Sequence, residues 1–122
     1  MLKAALLVGS GSFIGGVCRY LLGVLLKPQS GSFPTGTFVA NVLGCLLIGL
    51  FYGYSAKNPA FSKDILLLLT TGLCGGFTTF STFSNESLTM LQGQHYGMFA
   101  LYVGLSIAAG LTATFIGYLV TR

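Results

Sequence analysis

The 122-residue chain has no tryptophan, one histidine and two acidic residues, Asp64 and Glu86. Six basic residues bring the charged fraction to 7%, where a soluble domain carries about 25%. A water-facing surface cannot be made from so little charge, which excludes a soluble enzyme and a disordered chain. With two carboxylates and a lone His95 in a polar connection, no acid–base pair, Ser/His/Asp set or Cys/His metal spacing can be assembled. The three cysteines, Cys18, Cys45 and Cys74, each sit in an apolar stretch. Their odd number and lack of paired spacing argue against a disulfide framework and for packing between helices. The net charge of +4 comes from scattered Lys and Arg. No basic cluster exists, so the sequence gives no sign of a nucleic-acid partner, and the cations suit membrane-flanking positions.

What is present is apolar: 53% of residues are hydrophobic and the mean hydropathy is +0.83. A membrane-spanning helix needs about 20 such residues. The sequence divides into four spans in one all-α integral membrane domain over residues 1–122, at about 2–26, 34–56, 62–91 and 96–120. Turn signals separate them: Lys27-Pro28-Gln29-Ser30-Gly31-Ser32, Lys57-Asn58-Pro59 and Gln92-Gly93-Gln94-His95. Lys3 followed by an apolar run resembles the start of a secretory signal, but the run outlasts a signal and the rest of the chain is equally apolar. Several pairs have the spacing that lets membrane helices approach closely: Gly11–Gly15, Gly49–Gly53, Gly72–Gly76, Ser106–Gly110 and Ala113–Gly117.

The third span is unusual. Gly72, Gly75 and Gly76 precede Thr78, Thr79, Ser81, Thr82 and Ser84. Each glycine costs about 1 kcal/mol against alanine in a helix, so a break is expected near residues 75–79. Backbone freed at that depth must be buried in protein or face a polar cavity, and interrupted helices commonly hold ion sites. The competing reading is a glycine-rich packing face whose hydroxyls bond back to the preceding turn.

Other polar residues lie inside the spans. Asn41 shares a helix face with Thr37 and Gly44, and suits either an interhelical hydrogen bond or a pore wall. Arg19 lies about 10 Å from the end of the first span, placed either to snorkel or to make a positive field at an anion entrance. Glu86 sits near the end of the third span, where a pairing with a neighbour or water is the plain alternative. Tyr102, Ser106, Gly110 and Thr114 recur every four residues as a small, polar stripe that also suits packing. Phe80 and Phe83 share a face and flank the hydroxyls of Ser81, Thr82 and Ser84. A phenyl ring has a positive edge, so ring edges beside hydroxyl donors would suit a small anion.

Three strings carry a family resemblance: Gly15-Gly16-Val17-Cys18-Arg19-Tyr20, Gly36-Thr37-Phe38-Val39-Ala40-Asn41-Val42-Leu43-Gly44, and Gly72-Leu73-Cys74-Gly75-Gly76-Phe77-Thr78-Thr79-Phe80-Ser81-Thr82-Phe83 with Glu86 just beyond. Over its whole length the chain resembles the Fluc (CrcB-type) fluoride channels of bacteria. The resemblance implies a multi-pass protein of the bacterial inner membrane that is not an enzyme. It implies an antiparallel, dual-topology homodimer in the lipid bilayer, with two fluoride pores through which cytoplasmic fluoride leaves by passive electrodiffusion. It implies that Asn41, Phe80 and Phe83 line each pore, with Thr37, Ser81, Thr82, Ser84, Tyr102, Ser106 and Thr114 on or beside its polar side and Arg19 and Glu86 at the vestibule. It also implies a structural Na+ at the dimer centre, held by the backbone carbonyls of Gly75 and Thr78. The rivals are a proton-coupled fluoride or small-molecule exporter and a non-transporting scaffold. The small multidrug exporters of similar size carry an acidic residue in the first span, which is absent here. Charge counting alone favours the N-terminus inside, with Lys3, Lys57, Lys63 and Arg122 at one side against Lys27, or Lys27 and Arg19, at the other.

Overall fold

The computed structural model describes residues 1–27 and 33–122; the turn read at 28–32 lies outside them. The described residues form helices and short connections. Helix α1 (Leu2–Leu25), α2 (Thr35–Lys57) and α6 (Tyr96–Thr121) are single helices of 24, 23 and 26 residues. At 1.5 Å per residue each is longer than the roughly 30 Å of a hydrocarbon core. The third span, Lys63–Gln92, is assembled from pieces: α3 (Lys63–Leu67), a π-helical segment (Leu68–Cys74), α4 (Gly75–Phe77) and α5 (Phe80–Gln92). All four spans are long and apolar enough to cross a membrane. Short connections at residues 58–62 and 93–95 make the neighbouring spans antiparallel.

Local signals account for the ends. Ser62 caps α3 by accepting from Ile65 N at 3.3 Å, and Asp64 stands in the first turn, where the helix dipole favours a carboxylate. Asn58 closes α2, its backbone N and Nδ2 both donating to Tyr54 O at 3.0 Å.

Two glycine-lined seams hold the spans together, which is how helices associate where lipid is as apolar as leucine. In the first, α1 lies on the π segment and α4. Gly11 faces the Leu68 carbonyl and Gly72, Gly15 faces the Leu73 carbonyl, and Gly76 faces the backbone of Ser12. In the second, α2 lies on α6, with Gly49 against the Thr114 backbone, Gly117 against Leu46 and Leu50, and Gly53 against Tyr118 and Thr121. Hydroxyls stitch the same seams. Ser12 donates to Gly72 O at 3.4 Å, Thr114 to Cys45 O at 3.0 Å and Thr121 to Leu50 O at 2.9 Å.

The sequence pattern does not anticipate the π segment. Thr70 is buried and its hydroxyl donates to Leu66 O at 2.7 Å. That carbonyl is the one the Thr70 amide would take in an α-helix, so the side chain competes with its own backbone. Downstream, Gly75 N reaches Thr70 O, five residues back, and the helix carries one extra residue in that turn.

A methyl group at Gly15 would fall on the Leu73 carbonyl and within 2.8 Å of Phe77 N. Gly15→Ala is therefore expected to destabilise the folded protein by about 1–3 kcal/mol, despite the helix propensity it gains. Gly97→Ala meets nothing within 4 Å and should be neutral or stabilising by up to about 1 kcal/mol. Thermal unfolding in detergent compares the two.

Candidate functional site

The helix break centres on Thr78 and Thr79, whose backbones are extended at φ −89°, ψ 158° and φ −149°, ψ 121°. Asn41, on α2, holds it from the side. Its Oδ1 accepts from Thr79 N at 2.7 Å and its Nδ2 donates to Thr79 O at 3.1 Å. One amide side chain thereby satisfies both backbone groups of the residue that leaves the helix, as backbone at membrane depth requires. One N–H of the Asn41 amide is left over.

Thr79 then restarts the helix. Its Oγ1 accepts from Thr82 N at 3.2 Å, an N-cap for α5. The same hydroxyl donates to Thr82 Oγ1 at 3.2 Å and lies 3.3 Å from Ser81 Oγ. Thr82 accepts in that bond, so its own proton remains available.

These diversions leave two carbonyls without their helical donors. In a continuous α-helix the Gly75 carbonyl would receive Thr79 N and the Thr78 carbonyl would receive Thr82 N. Thr79 N goes to Asn41 and Thr82 N to Thr79 Oγ1. Both carbonyl-bearing residues line a cavity of about 460 Å³ that also touches Asn41, Cys45, Cys74 and Phe80.

Glu86 is turned inward. Its Oε2 accepts from Thr37 Oγ1 at 3.0 Å and its Oε1 from Tyr102 OH at 2.8 Å. It therefore ties α5 to both α2 and α6. Two of the hydroxyls expected beside a pore are committed to this carboxylate. Tyr102 is fully buried, and its ring sits 5.0 Å from Phe83, which lies 5.7 Å from Phe80. Phe33 packs edge-on against Tyr102 at 5.3 Å and 90°. The ring series runs from buried Tyr102 to Phe80, which is 79% exposed. Ser81 and Ser84 are exposed on α5.

Arg19 lines a second cavity, of about 340 Å³, with Lys27, Thr37, Thr79 and Thr82. Its Nε is buried and, among the described residues, has no hydrogen-bond partner; Ser106 Oγ is in the same state. Thr37, Asn41 and Thr82 thus gather around the break, with Glu86 bonded to Thr37, Arg19 in the cavity beside them and Phe80 in the cavity that Asn41 lines. Thr114 lies in the α2–α6 seam, its hydroxyl spent on Cys45 O.

The spacing of Thr37 and Asn41 on one face points to the α2 side of this arrangement. The Glu86–Tyr102 pairing, across sixteen positions, leaves no local sequence signal.

The chain matches the family described as CrcB-like protein, Camphor Resistance (CrcB), over residues 6–118. It belongs to the CrcB family. Curated relatives agree over nearly the full length. A Flavobacterium psychrophilum protein is 43% identical over 122 residues, covering 99% of this chain and 98% of the relative. One from Phocaeicola vulgatus is 46% identical over 117 residues, covering 95% and 96%, and one from Oceanobacillus iheyensis is 48% identical over 116 residues, covering 95% and 89%. Each carries the name "Fluoride-specific ion channel FluC". Family membership and four apolar spans make this CrcB protein a multi-pass membrane protein.

Asn41→Asp keeps the acceptor for Thr79 N but turns a carboxylate oxygen on the Thr79 carbonyl, now 3.1 Å from a donor. It should lower stability by about 1–3 kcal/mol. Asn58→Asp loses a bond of the same kind at an exposed site and should cost well under 1 kcal/mol. Thermal unfolding of both variants checks the difference.

Proposed function

We propose that this CrcB protein is a fluoride-selective channel, and the observation that carries the reading is the broken third span clamped by Asn41. Its full-length relatives bear the fluoride-channel name, and the chemistry around the break suits that anion. Fluoride is small and strongly hydrated, so a path for it must replace water with many donors, each weak enough to release the ion. The hydroxyls of Ser84, Thr82 and Ser106, the spare N–H of Asn41 and the edges of Phe80 and Phe83 are neutral donors of that kind, while Ser81 gives its proton to Thr79 Oγ1. Arg19 Nε, buried with no partner among the described residues, supplies positive potential at the approach. Thr37 and Tyr102 already give their protons to Glu86, so they support the path through that carboxylate.

The path is half a wall in one chain. Phe80, Ser81 and Ser84 face outward, and a chain of 12.8 kDa cannot enclose them. A second, oppositely inserted copy would cover them and give two equivalent pores. Gly75 and Thr78 fit a structural Na+ because their carbonyls have lost their helical donors to Asn41 and Thr79, and unwound backbone carbonyls are the usual Na+ ligands at helix breaks. When bound, such an ion would supply positive charge that draws carbonyls together without holding the permeant anion.

Liposomes loaded with fluoride or chloride test the reading by ion-electrode efflux. Fluoride should leave fast and chloride at least tenfold more slowly, with no dependence on an imposed pH gradient beyond its electrical effect. Equal chloride efflux would refute selectivity, and a strict pH-gradient requirement would favour a proton-coupled exporter. Phe80→Ile and Phe83→Ile keep apolar volume at a cost typically under about 1.5 kcal/mol but remove the ring edges. Fluoride efflux should fall at least tenfold in each, beside a gel-filtration profile that is unchanged.

Dual insertion has its own test. Single-cysteine variants of each loop on a cysteine-free background should react in part with an impermeant thiol reagent added to intact cells, and in full only after permeabilisation. Reaction of every loop from one side alone would refute it.

A further inference from the structure

The antiparallel order of the spans brings the C-terminal end of α2, the start of α3 and the C-terminal end of α6 to one end of the bundle, together with the N-terminus of α1. Lys57, Lys63 and Arg122 stand there, all exposed. The α2 and α6 ends are side by side, because Gly53 lies against the Tyr118 backbone and Thr121. Lys57 and Lys63 stand on either side of a hydrogen-bonded turn. Asn58 caps α2, Phe61 N donates to Asn58 O at 2.9 Å, and the Phe61 ring meets Tyr54 edge-on at 5.2 Å.

The chain has only two carboxylate side chains to neutralise its cations. Asp64 pairs with Lys3 at 2.9 Å. Glu86 is taken by Thr37 and Tyr102. Lys57, Lys63 and Arg122 therefore have no acidic side chain left to pair with. They sit just beyond the apolar spans, and Tyr54, one turn before Lys57, is a residue of the kind that settles at headgroup level. A cation in that zone meets lipid phosphate, to which lysine offers a point charge and arginine a two-pronged donor.

We propose that this end of the bundle is a binding site for the headgroup of an anionic phospholipid, with Lys57, Lys63 and Arg122 as its cations. Net charge is what separates this ligand from a zwitterionic lipid, whose own amine competes for the phosphate. The site is independent of the fluoride reading, and antiparallel copies would present it in both leaflets.

Native mass spectrometry of the full-length protein in micelles containing equal phosphatidylglycerol and phosphatidylcholine reads the site. The wild type should retain phosphatidylglycerol in excess. Each cation changed to glutamine should lower that excess by about fivefold, and Lys57→Gln, Lys63→Gln and Arg122→Gln together should abolish it. A triple variant that keeps its charges, with Lys57→Arg, Lys63→Arg and Arg122→Lys, should retain it. Lys27→Gln, at the other end, should leave it unchanged. Excess free glycerol phosphate should not displace the lipid. Equal retention of the two lipids by the wild type, an undiminished excess in the neutral variants, or displacement by free glycerol phosphate would overturn the proposal. The single variant Lys63→Gln serves where the neutral triple variant fails gel filtration.

Discussion

A helix broken inside a membrane exposes peptide groups to a medium that cannot hydrogen-bond them, and the Asn41 amide answers that constraint on both sides of Thr79. Nearly every other feature of the site follows from this clamp. Because Thr79 N is drawn to Asn41, the Gly75 carbonyl is released. Because Thr79 is held extended, its hydroxyl is placed to cap α5. Because α5 starts there, Phe80, Ser81 and Ser84 are displayed where an unbroken helix would have buried or rotated them. An unpaired peptide group in hydrocarbon costs several kcal/mol, so the clamp, the cap and the break stand or fall together.

The clamp needs α2 to sit at a fixed height beside the third span, and the glycine seams provide that. Gly44 lies against the methyl of Thr78, so the helix carrying Asn41 touches the break one turn further along. The α2–α6 seam ties that height to α6, which carries Tyr102, and Tyr102 reaches back to Glu86 on α5. The site is thus the place where three spans meet through one carboxylate and one amide. Both are half-buried polar groups held by two hydrogen bonds each.

The parts of this arrangement readable from the sequence are those written in local patterns. Span number follows from hydropathy. Close packing follows from pairs such as Gly11–Gly15 and Gly49–Gly53, which the structure places in seams. The fragility of the third span follows from Gly72, Gly75 and Gly76 beside a run of threonines. What could not be read depends on pairing at long range. Asn41 is legible as a buried amide that requires a partner, but nothing near it in sequence names Thr79. Glu86 looks like an interfacial carboxylate until Thr37 and Tyr102 are brought to it from two other spans. The π segment is hidden for a subtler reason, since the glycines and threonines there announce a weak helix but not its kind, and Thr70 acts through competition with its own amide.

That extra residue sets an angle. Each residue of an α-helix turns the chain by about 100°; the wider turn between Leu68 and Cys74 takes up one residue, so the residues after it stand about that angle away from where the same sequence wound as a plain α-helix would put them. Gly75 and Thr78, and through them the direction in which the chain leaves the break, owe their heading to a single added residue. The same chain wound as a plain α-helix through that turn would keep its composition, its hydropathy and its glycine-to-threonine order. Its carbonyls would nonetheless point a quarter turn or more away from where they stand. In this protein, alignment of the break is a matter of how one turn is wound, not of which residues compose it.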